Sequence, residues 1–367
     1  MPDRVAIVGV GATPLRPITP DLSYREMTFQ AATQAYADAG VGPRDVDSFV
    51  SVCEDFHEGT SITDEYVPDQ LGAVLKPVQT IAGDGLQGVA AAIMLLRSGI
   101  ADLVAVEAHC KTSNILRQAE VIEMALDPVY ERPLRANPHY VAALEMRRFL
   151  HEGGVPPEAT ARVAAANRRA ALRNPMAAYG AGLSPEDVAA SAPVCLPLRR
   201  LEISQPADGA VVLVLASEDA AGGLRARPVW VRGIGFASDT PWLAGRNWAR
   251  ATYAEIATRM AYRMAGIERP RREIDFAEVD DTYAYKQLQH LAALGLDGDG
   301  IPVNPSGGSL GMGYCHDATA LYRVAEATWQ LRGAAGPRQV PRVRTGAVAS
   351  WRGVPTTTGG VLVLGVD

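Results

Sequence analysis

The sequence repeats itself, and a chain duplicated in this way has to build two similar halves. The strand-like run Val5-Ala6-Ile7-Val8-Gly9-Val10-Gly11 is echoed by Val229-Trp230-Val231-Arg232-Gly233-Ile234-Gly235, both rich in β-branched side chains. A helical pattern follows each, ending in Ala39-Gly40-Val41 and in Ala265-Gly266-Ile267, where glycine supplies the left-handed cap. Each then enters a strand through an acidic lead, Asp45-Val46-Asp47-Ser48-Phe49-Val50 and Glu273-Ile274-Asp275-Phe276-Ala277-Glu278-Val279. The seam falls near residue 225, giving a first half over residues 1–225 and a second over residues 226–367.

The halves continue in parallel. Leu86 to Ser98 is apolar on every side and reads as a fully buried helix, followed by a strand from Ala101 to Ala108,. Its counterpart is Asp317 to Arg332, followed by strands Val343 to Ser350 and Gly360 to Val366. Strands alternating with helices imply an α/β protein with two sheets and helices buried between layers. An insertion from about 112 to 200 carries Arg147-Arg148, Asn167-Arg168-Arg169 and Asn174-Pro175. It is a polar helical segment that either covers a site or presents a solvated face.

Composition removes several functions. With 41 acidic against 35 basic side chains and a formal charge of -6, no stretch gathers enough Lys and Arg to neutralise a row of phosphates. The longest apolar run, Gly88 to Leu96, stops at Arg97, too short for a membrane span, and Asp3 and Arg4 precede a strand rather than a secretory core,. The four cysteines, Cys53, Cys110, Cys195 and Cys315, form no CxxC and suit thiols in a reducing cytoplasm,. Neither His109-Cys110 nor Cys315-His316 completes a metal set, and Asp297-Gly298-Asp299-Gly300 reads as a turn,. Gly9-x-Gly11 has Pro14 where a dinucleotide fingerprint needs its third glycine, so a tight turn after a strand is expected,. Gly307-Gly308-Ser309-Leu310-Gly311 fits GxSxG, but only His316 and Asp317 follow closely,.

A stronger constellation runs from Asn304-Pro305-Ser306-Gly307-Gly308 through Gly311-Met312-Gly313-Tyr314-Cys315-His316-Asp317. Glycines directly before a helix let backbone amides face an anionic oxygen. The strand end Asp280-Asp281-Thr282-Tyr283-Ala284-Tyr285 offers two carboxylates and two phenols from a neighbouring loop. Paired carboxylates there suit acid/base work, and a capping Asp for the helix Tyr285 to Leu294 is the alternative.

These residues resemble the thiolase superfamily along the whole chain. The likeness rests on the N-terminal strand, Asn174-Pro175 after Asn167-Arg168-Arg169, Asp208-Gly209-Ala210, Asp280 to Leu288, Asn304-Pro305-Ser306-Gly307-Gly308 and Thr358-Gly359-Gly360. It implies an α/β thiolase-like duplicated fold, two mixed sheets and buried helices in five layers. The departures concern chemistry. Where a thiolase places a cysteine nucleophile, at the start of the buried first-half helix, this chain reads Ala82-Gly83-Asp84-Gly85-Leu86-Gln87-Gly88,. Gly313-Tyr314-Cys315 replaces a Gly-His-Pro motif, and Asp280-Asp281-Thr282-Tyr283 stands where lipid-carrier-type thiolases have His-Asp-x-Phe. The position of the late catalytic Cys or His is Gly353-Val354-Pro355-Thr356.

The replacements resemble the steroid side-chain-cleaving aldolase branch, which carries a tyrosine and a nearby histidine after the glycine loop and a late Gly-Val-Pro-Thr. That resemblance implies retro-aldol cleavage of a β-hydroxyacyl-CoA thioester, with CoA entering as part of the substrate and no other cofactor or metal. The catalytic candidates are Asp280, Tyr283, Tyr314 and His316, with Gly308 and Gly313 shaping oxyanion contacts and Asp84 at the substrate. It also implies a small OB-fold partner with a zinc ribbon, and a homodimer pairing through the first-half sheet near Asp102 to Glu107. A non-catalytic scaffold subunit and an acyltransferase using Cys110 or Cys315 are the rival readings.

Overall fold

The computed structural model describes residues 4–54, 63–115, 120, 123–124, 126–298, 300–353 and 357–367. The first half contributes strands β1 (Val5–Ala12), β2 (Ser48–Val52), β3 (Val78–Ile81) and β4 (Leu103–Cys110). A separate ribbon of β5 (Pro193–Cys195) and β6 (Leu198–Arg199) precedes β7 (Gly209–Ser217). The second half adds β8 (Val229–Ser238), β9 (Phe276–Val279), β10 (Thr345–Trp351) and β11 (Thr358–Gly365). The principal helices are α1 (Tyr24–Ala39), α2 (Gly85–Arg97), α3 (Pro138–Gly153), α4 (Pro157–Ala171), α5 (Thr252–Ala265), α6 (Ala284–Leu294), α7 (Gly308–Met312) and α8 (Thr319–Arg332).

The duplication governs the sheet. In the first half β1 pairs antiparallel with β7, β7 antiparallel with β4, and β4 parallel with β2. In the second, β8, β11, β10 and β9 repeat that sequence of pairings in the same sense. Even the irregularities match: β1 slips register between Ile7 and Gly9, and β8 slips across the corresponding Val231 and Gly233, an inserted residue that bends a strand. The two sheets meet where Ala6 and Ile7 pair with Trp230 and Val229, which joins them into one nine-stranded ladder ordered β3-β2-β4-β7-β1-β8-β11-β10-β9.

Three helical layers cover and separate the halves. On the outer face of the first sheet, Ala31 and Ala35 of α1 pack with Val212 and Val214 of β7. Between the sheets lie α2 and α8, where Leu86, Val89, Leu321 and Val324 meet Val50, Leu213 and Leu362. On the far face, Ala257 and Ala261 of α5 and Leu291 of α6 cover β9, β10 and β11. Together with the two sheets this makes five layers. Burial of α2 is less complete than its composition implies, because Met94 keeps 59% of its surface exposed. Among the described residues, no helix is long and apolar enough to cross a membrane.

Two expectations need correction. Gly9 and Gly11 form no turn: they sit inside β1, and a Cβ on either would strike the backbone of α1 at the carbonyl oxygens of Ala35 and Ala31. Gly233 and Gly235 do the same in β8 against Ala261 and Ala257 of α5. The repeated glycines therefore bring helix and strand backbones into direct contact. The second correction concerns Asp102 to Glu107, most of which lies in β4. This strand is bonded to β2 on one side and β7 on the other, so its backbone groups are spent, and the free edge of that sheet is β3.

Overpacking at such a contact displaces backbone rather than a flexible side chain. Gly11→Val and Gly235→Val should each cost roughly 3 kcal/mol in denaturant unfolding, whereas Gly182→Ala, which has nothing within 4 Å of a new Cβ, should be near neutral. A loss below about 1 kcal/mol at both strand positions would show that α1 and α5 stand off their strands.

Candidate functional site

The site forms where the second half's strand end meets the starts of the two central helices. Asn304 anchors it, accepting from the amide of Val279 at 2.7 Å and donating to Gln287 Oε1 at 2.9 Å. Beyond it the chain turns through Gly307 and Gly308, whose φ values of 99° and 56° favour glycine,, and enters α7. A Cβ on Gly308 would collide with the carboxyl group of Asp281.

That close approach reveals what the glycine loop holds. Asp281 accepts from the amides of Ser309 at 2.6 Å and Leu310 at 3.1 Å, and from Asn167 Nδ2 at 2.7 Å. It also meets Arg323 Nη2 at 3.2 Å. The glycine run, read as leading straight into the helix at Asp317, thus forms a short helix of its own, and the first amides of that helix serve the protein's own carboxylate. Gly308 donates its amide to Ser306 Oγ at 3.0 Å, and Gly313 donates to Ser309 O at 3.0 Å. Neither amide is left for an oxyanion. Asp281 is also not the cap of α6, whose N-cap is Tyr283.

Asp280 differs from its neighbour. Its Oδ1 accepts from Thr282 N at 2.9 Å, while Oδ2 faces Arg323 Nη1 at 3.0 Å as an ion pair without hydrogen-bond alignment. Oδ2 and Thr282 Oγ1 are both buried and make no hydrogen bond among the described residues. Buried polar atoms in this condition call for a ligand or water.

Tyr283 is buried, its hydroxyl 3.0 Å from His139 Nδ1 and its ring edge-on to His139 and to Trp351. Burial, with the negative charges of Glu145 and Asp280 adding to it, raises its pKa and keeps it a phenol,. Tyr314 is held by its backbone, its amide donating to Gln205 O at 2.8 Å and its carbonyl accepting from Ala207 N at 2.9 Å. Burial drives its pKa well above the ordinary value, and Asp280, Asp317 and Tyr283 act on it in the same direction. The ring of His316 lies edge-on at 4.9 Å, and His316 takes a left-handed φ of 38°. A Cβ placed on Gly353 would come within 3.5 Å of the Tyr314 hydroxyl. Val354, Pro355 and Thr356, the rest of that motif, lie outside the described residues, as does Asp299.

Asp84 is the N-cap of α2. Its Oδ1 accepts from Leu86 N at 2.7 Å and its Oδ2 from Ser350 Oγ of β10 at 2.7 Å. Burial pushes its pKa up to about 6 against those hydrogen bonds, and the charges of Asp280 and Asp317 add to the rise. A carboxyl group therefore begins the buried helix. The start of α8 lies alongside, since a Cβ on Gly85 would press against Leu321.

The structure thus gathers Asp84, Asp280, Tyr283, Tyr314 and His316, and leaves Gly308 and Gly313 as shape alone. Sequence reasoning missed His139, Arg323 and Ser350. Arg323 and Ser350 sit in segments read only as a buried helix and a strand, and nothing near His139 links the insertion to Tyr283. Among the described residues, no group of three or more His, Cys, Asp or Glu could hold a metal ion.

This architecture has known counterparts. Residues 296–366 match the family model described as thiolase C-terminal domain-like. An acetyl-CoA acetyltransferase of Methanothermobacter thermautotrophicus is 30% identical, the match covering 93% of this chain and 94% of the relative. The 17-hydroxy-3-oxo-4-pregnene-20-carboxyl-CoA lyase of Mycobacterium tuberculosis is 26% identical over 96% of this chain and 98% of its own. A solved structure, the Ltp2-ChsH2(DUF35) aldolase, superposes with a TM-score of 0.84 at 25% identity, covering 100% of this chain and 98% of that one. The chain belongs to the thiolase superfamily.

The raised pKa of Asp84 has a consequence for stability. An ordinary aspartate ionises near 3.8 and Asp84 near 6, so between these values the folded state binds the proton more tightly. Stability from this group is therefore full below the lower value and declines as pH rises through the window. Wild type should lose on the order of 2 to 3 kcal/mol on this account between about pH 4 and pH 6.5, a slope that Asp84→Asn should lack. Unfolding curves of both proteins across that range measure it, and parallel pH dependence would show that Asp84 titrates normally.

Proposed function

We propose that this protein is a carbon-carbon lyase that cleaves a β-hydroxyacyl-CoA thioester by a retro-aldol reaction, with steroid side-chain esters the first substrates to try. The observation that carries this reading is the replacement of a nucleophile by two carboxylates and two phenols around the starts of α2 and α8. Asp280 Oδ2, with an open acceptor position, takes the β-hydroxyl proton. The Cα-Cβ bond breaks, its electron pair passes into the thioester as an enolate, and the β-carbon leaves as a ketone or aldehyde. Tyr283 donates to the β-oxygen and Tyr314 to the enolate oxygen, both as phenols kept protonated by burial,. Asp84, partly protonated near neutral pH, supplies the proton to Cα, and exchange between the two carboxyl groups restores the starting state.

The named aldolase neighbour supports the reaction class, and its name includes a second component, ChsH2(DUF35). We infer that this chain likewise works with a small OB-fold protein and a second copy of itself. CoA enters only as part of the substrate in this reading. The acyltransferase reading keeps one supporting observation. Cys110 and Cys315 are buried beside Tyr314 and Tyr322, and a relative at 30% identity is named an acetyltransferase. Neither thiol begins α2, where the N-cap is Asp84, so neither has that helix's positive end to favour a thiolate.

Tyr314→Phe should lower turnover of a cleavable β-hydroxyacyl-CoA by roughly 10²- to 10⁴-fold with folding intact. Release of acyl-CoA and carbonyl product, beside a thermal melt, distinguishes this from a structural tyrosine, which would cost about 1 kcal/mol of stability and little rate. Alkylation of the folded protein with a thiol reagent should leave cleavage unchanged. Inactivation prevented by substrate would instead favour the acyltransferase. Failure of wild type to cleave any ester of a branched panel, with the partner present, would favour a scaffold subunit.

A further inference from the structure

The insertion brings Asn167 to Asp281 and His139 to Tyr283, and His139 touches a residue of the reaction above without being used in it. His139 occupies the first turn of α3, fixed there by Pro138 and by the bond from its amide to Asn137 Oδ1 at 2.8 Å. Its half-buried imidazole stands edge-on to Tyr283, with ring centroids 5.9 Å apart at 78°, and Nδ1 lies 3.0 Å from the phenolic oxygen. The rest of α3 is locked against the same aromatic group. Glu145 accepts from Tyr285 at 3.0 Å and from Lys286 Nζ at 2.6 Å, while Val141 and Met146 pack with Tyr283, Tyr285 and Trp351. Helix and phenol are therefore held in one packed, hydrogen-bonded group.

A buried phenol has one proton and can donate it only once. If Nδ1 accepted that proton, Tyr283 would have none to offer the β-oxygen. If Nδ1 carries the hydrogen, it donates to the Tyr283 oxygen, and the phenolic hydrogen is turned toward Asp280 and the substrate. Hydrogen bonds in series polarise one another, so a phenol that accepts from an imidazole becomes a stronger donor. Burial lowers the pKa of His139, and the amides of the first helical turn disfavour added positive charge. Both keep the imidazole neutral, as a single-proton partner must be.

We propose that His139 is a positioning residue: its neutral, Nδ1-protonated imidazole orients and polarises the Tyr283 hydroxyl toward the β-oxygen of the substrate. The inference concerns the His139–Tyr283 pair, and only its kinetic consequence rests on the lyase reading. Asn places an amide nitrogen where histidine has Nδ1, whereas Leu fills the space without a donor. His139→Leu should reduce kcat on the order of 10²-fold with KM little changed, and His139→Asn should recover most of that loss. Equal losses in Leu and Asn, or a loss confined to KM, would overturn the positioning role.

A second measurement does not depend on activity. In nitrogen-15 spectra of the imidazole side chains, assigned by the signal lost in His139→Asn, Nδ1 of His139 should be of the protonated type and should shift in Tyr283→Phe. An unprotonated Nδ1, or a signal indifferent to Tyr283, would overturn the proposal even in an active enzyme. If wild type cleaves no ester, the lyase reading fails, and the nitrogen signal alone decides whether His139 donates to Tyr283.

Discussion

Asp281 accepts hydrogen bonds from two amides of α7 and from Asn167 of α4, and faces Arg323 of α8 as an ion pair. The end of β9, the glycine helix, the insertion and a central helix are thereby fixed on one buried carboxyl group. Isolated, such a charge would be expelled or neutralised. Here amides, an amide side chain and a guanidinium satisfy it together, which is the condition under which burial is tolerated. The same guanidinium reaches Asp280 at 3.0 Å. Fixing Asp281 therefore also fixes its neighbour, and the neighbour keeps one oxygen without a hydrogen bond.

Burial around that anchor acts differently on side chains of different type. Burial raises the pKa of both phenols and of Asp84, but with opposite chemical effect. A tyrosine pushed upward is only a more certain donor. An aspartate pushed to about 6 becomes able to exchange its proton near neutrality. Burial thus acts on each of these side chains from a different starting pKa, and leaves the phenols and the carboxyl group of Asp84 in different protonation ranges,. The carboxylates strengthen the separation, because Asp280 raises the pKa of Asp84 and of both tyrosines.

Much of the architecture was legible because repetition is a property of sequence. The Val5–Gly11 and Val229–Gly235 runs placed the halves, and the structure extends their likeness to a shared register slip. What Gly9 and Gly11 do was not legible. Contact between the backbone of β1 and that of α1 is set by packing across the fold, and a turn after a strand uses the same glycines. The glycine loop misled for a related reason: in sequence it reads as a lead into the helix at Asp317, but it forms a short helix of its own whose first amides serve Asp281, a partner that only folding brings there. Asp280, Tyr283, Tyr314 and His316 were visible as chemistry-bearing types near glycines. His139 was not, since its meaning depends on the docking of an inserted helix against the other half.

That docking explains an asymmetry in a duplicated chain. The two sheets and their central helices repeat, yet the insertion belongs to the first half and packs on the second. Phe149 and Met146 of α3 join Tyr253, Tyr285 and Trp351, and Ala161 and Ala164 of α4 join Ala284 and Leu310. Through those apolar contacts Asn167 reaches Asp281 and His139 reaches Tyr283. A symmetric pair of halves would offer two equivalent helix starts with nothing to distinguish one from the other. The inserted helices instead pack on the second half, where they bring Asn167 to the buried Asp281 and His139 to the buried Tyr283, so that interactions between charged and polar groups there are stronger than in water,.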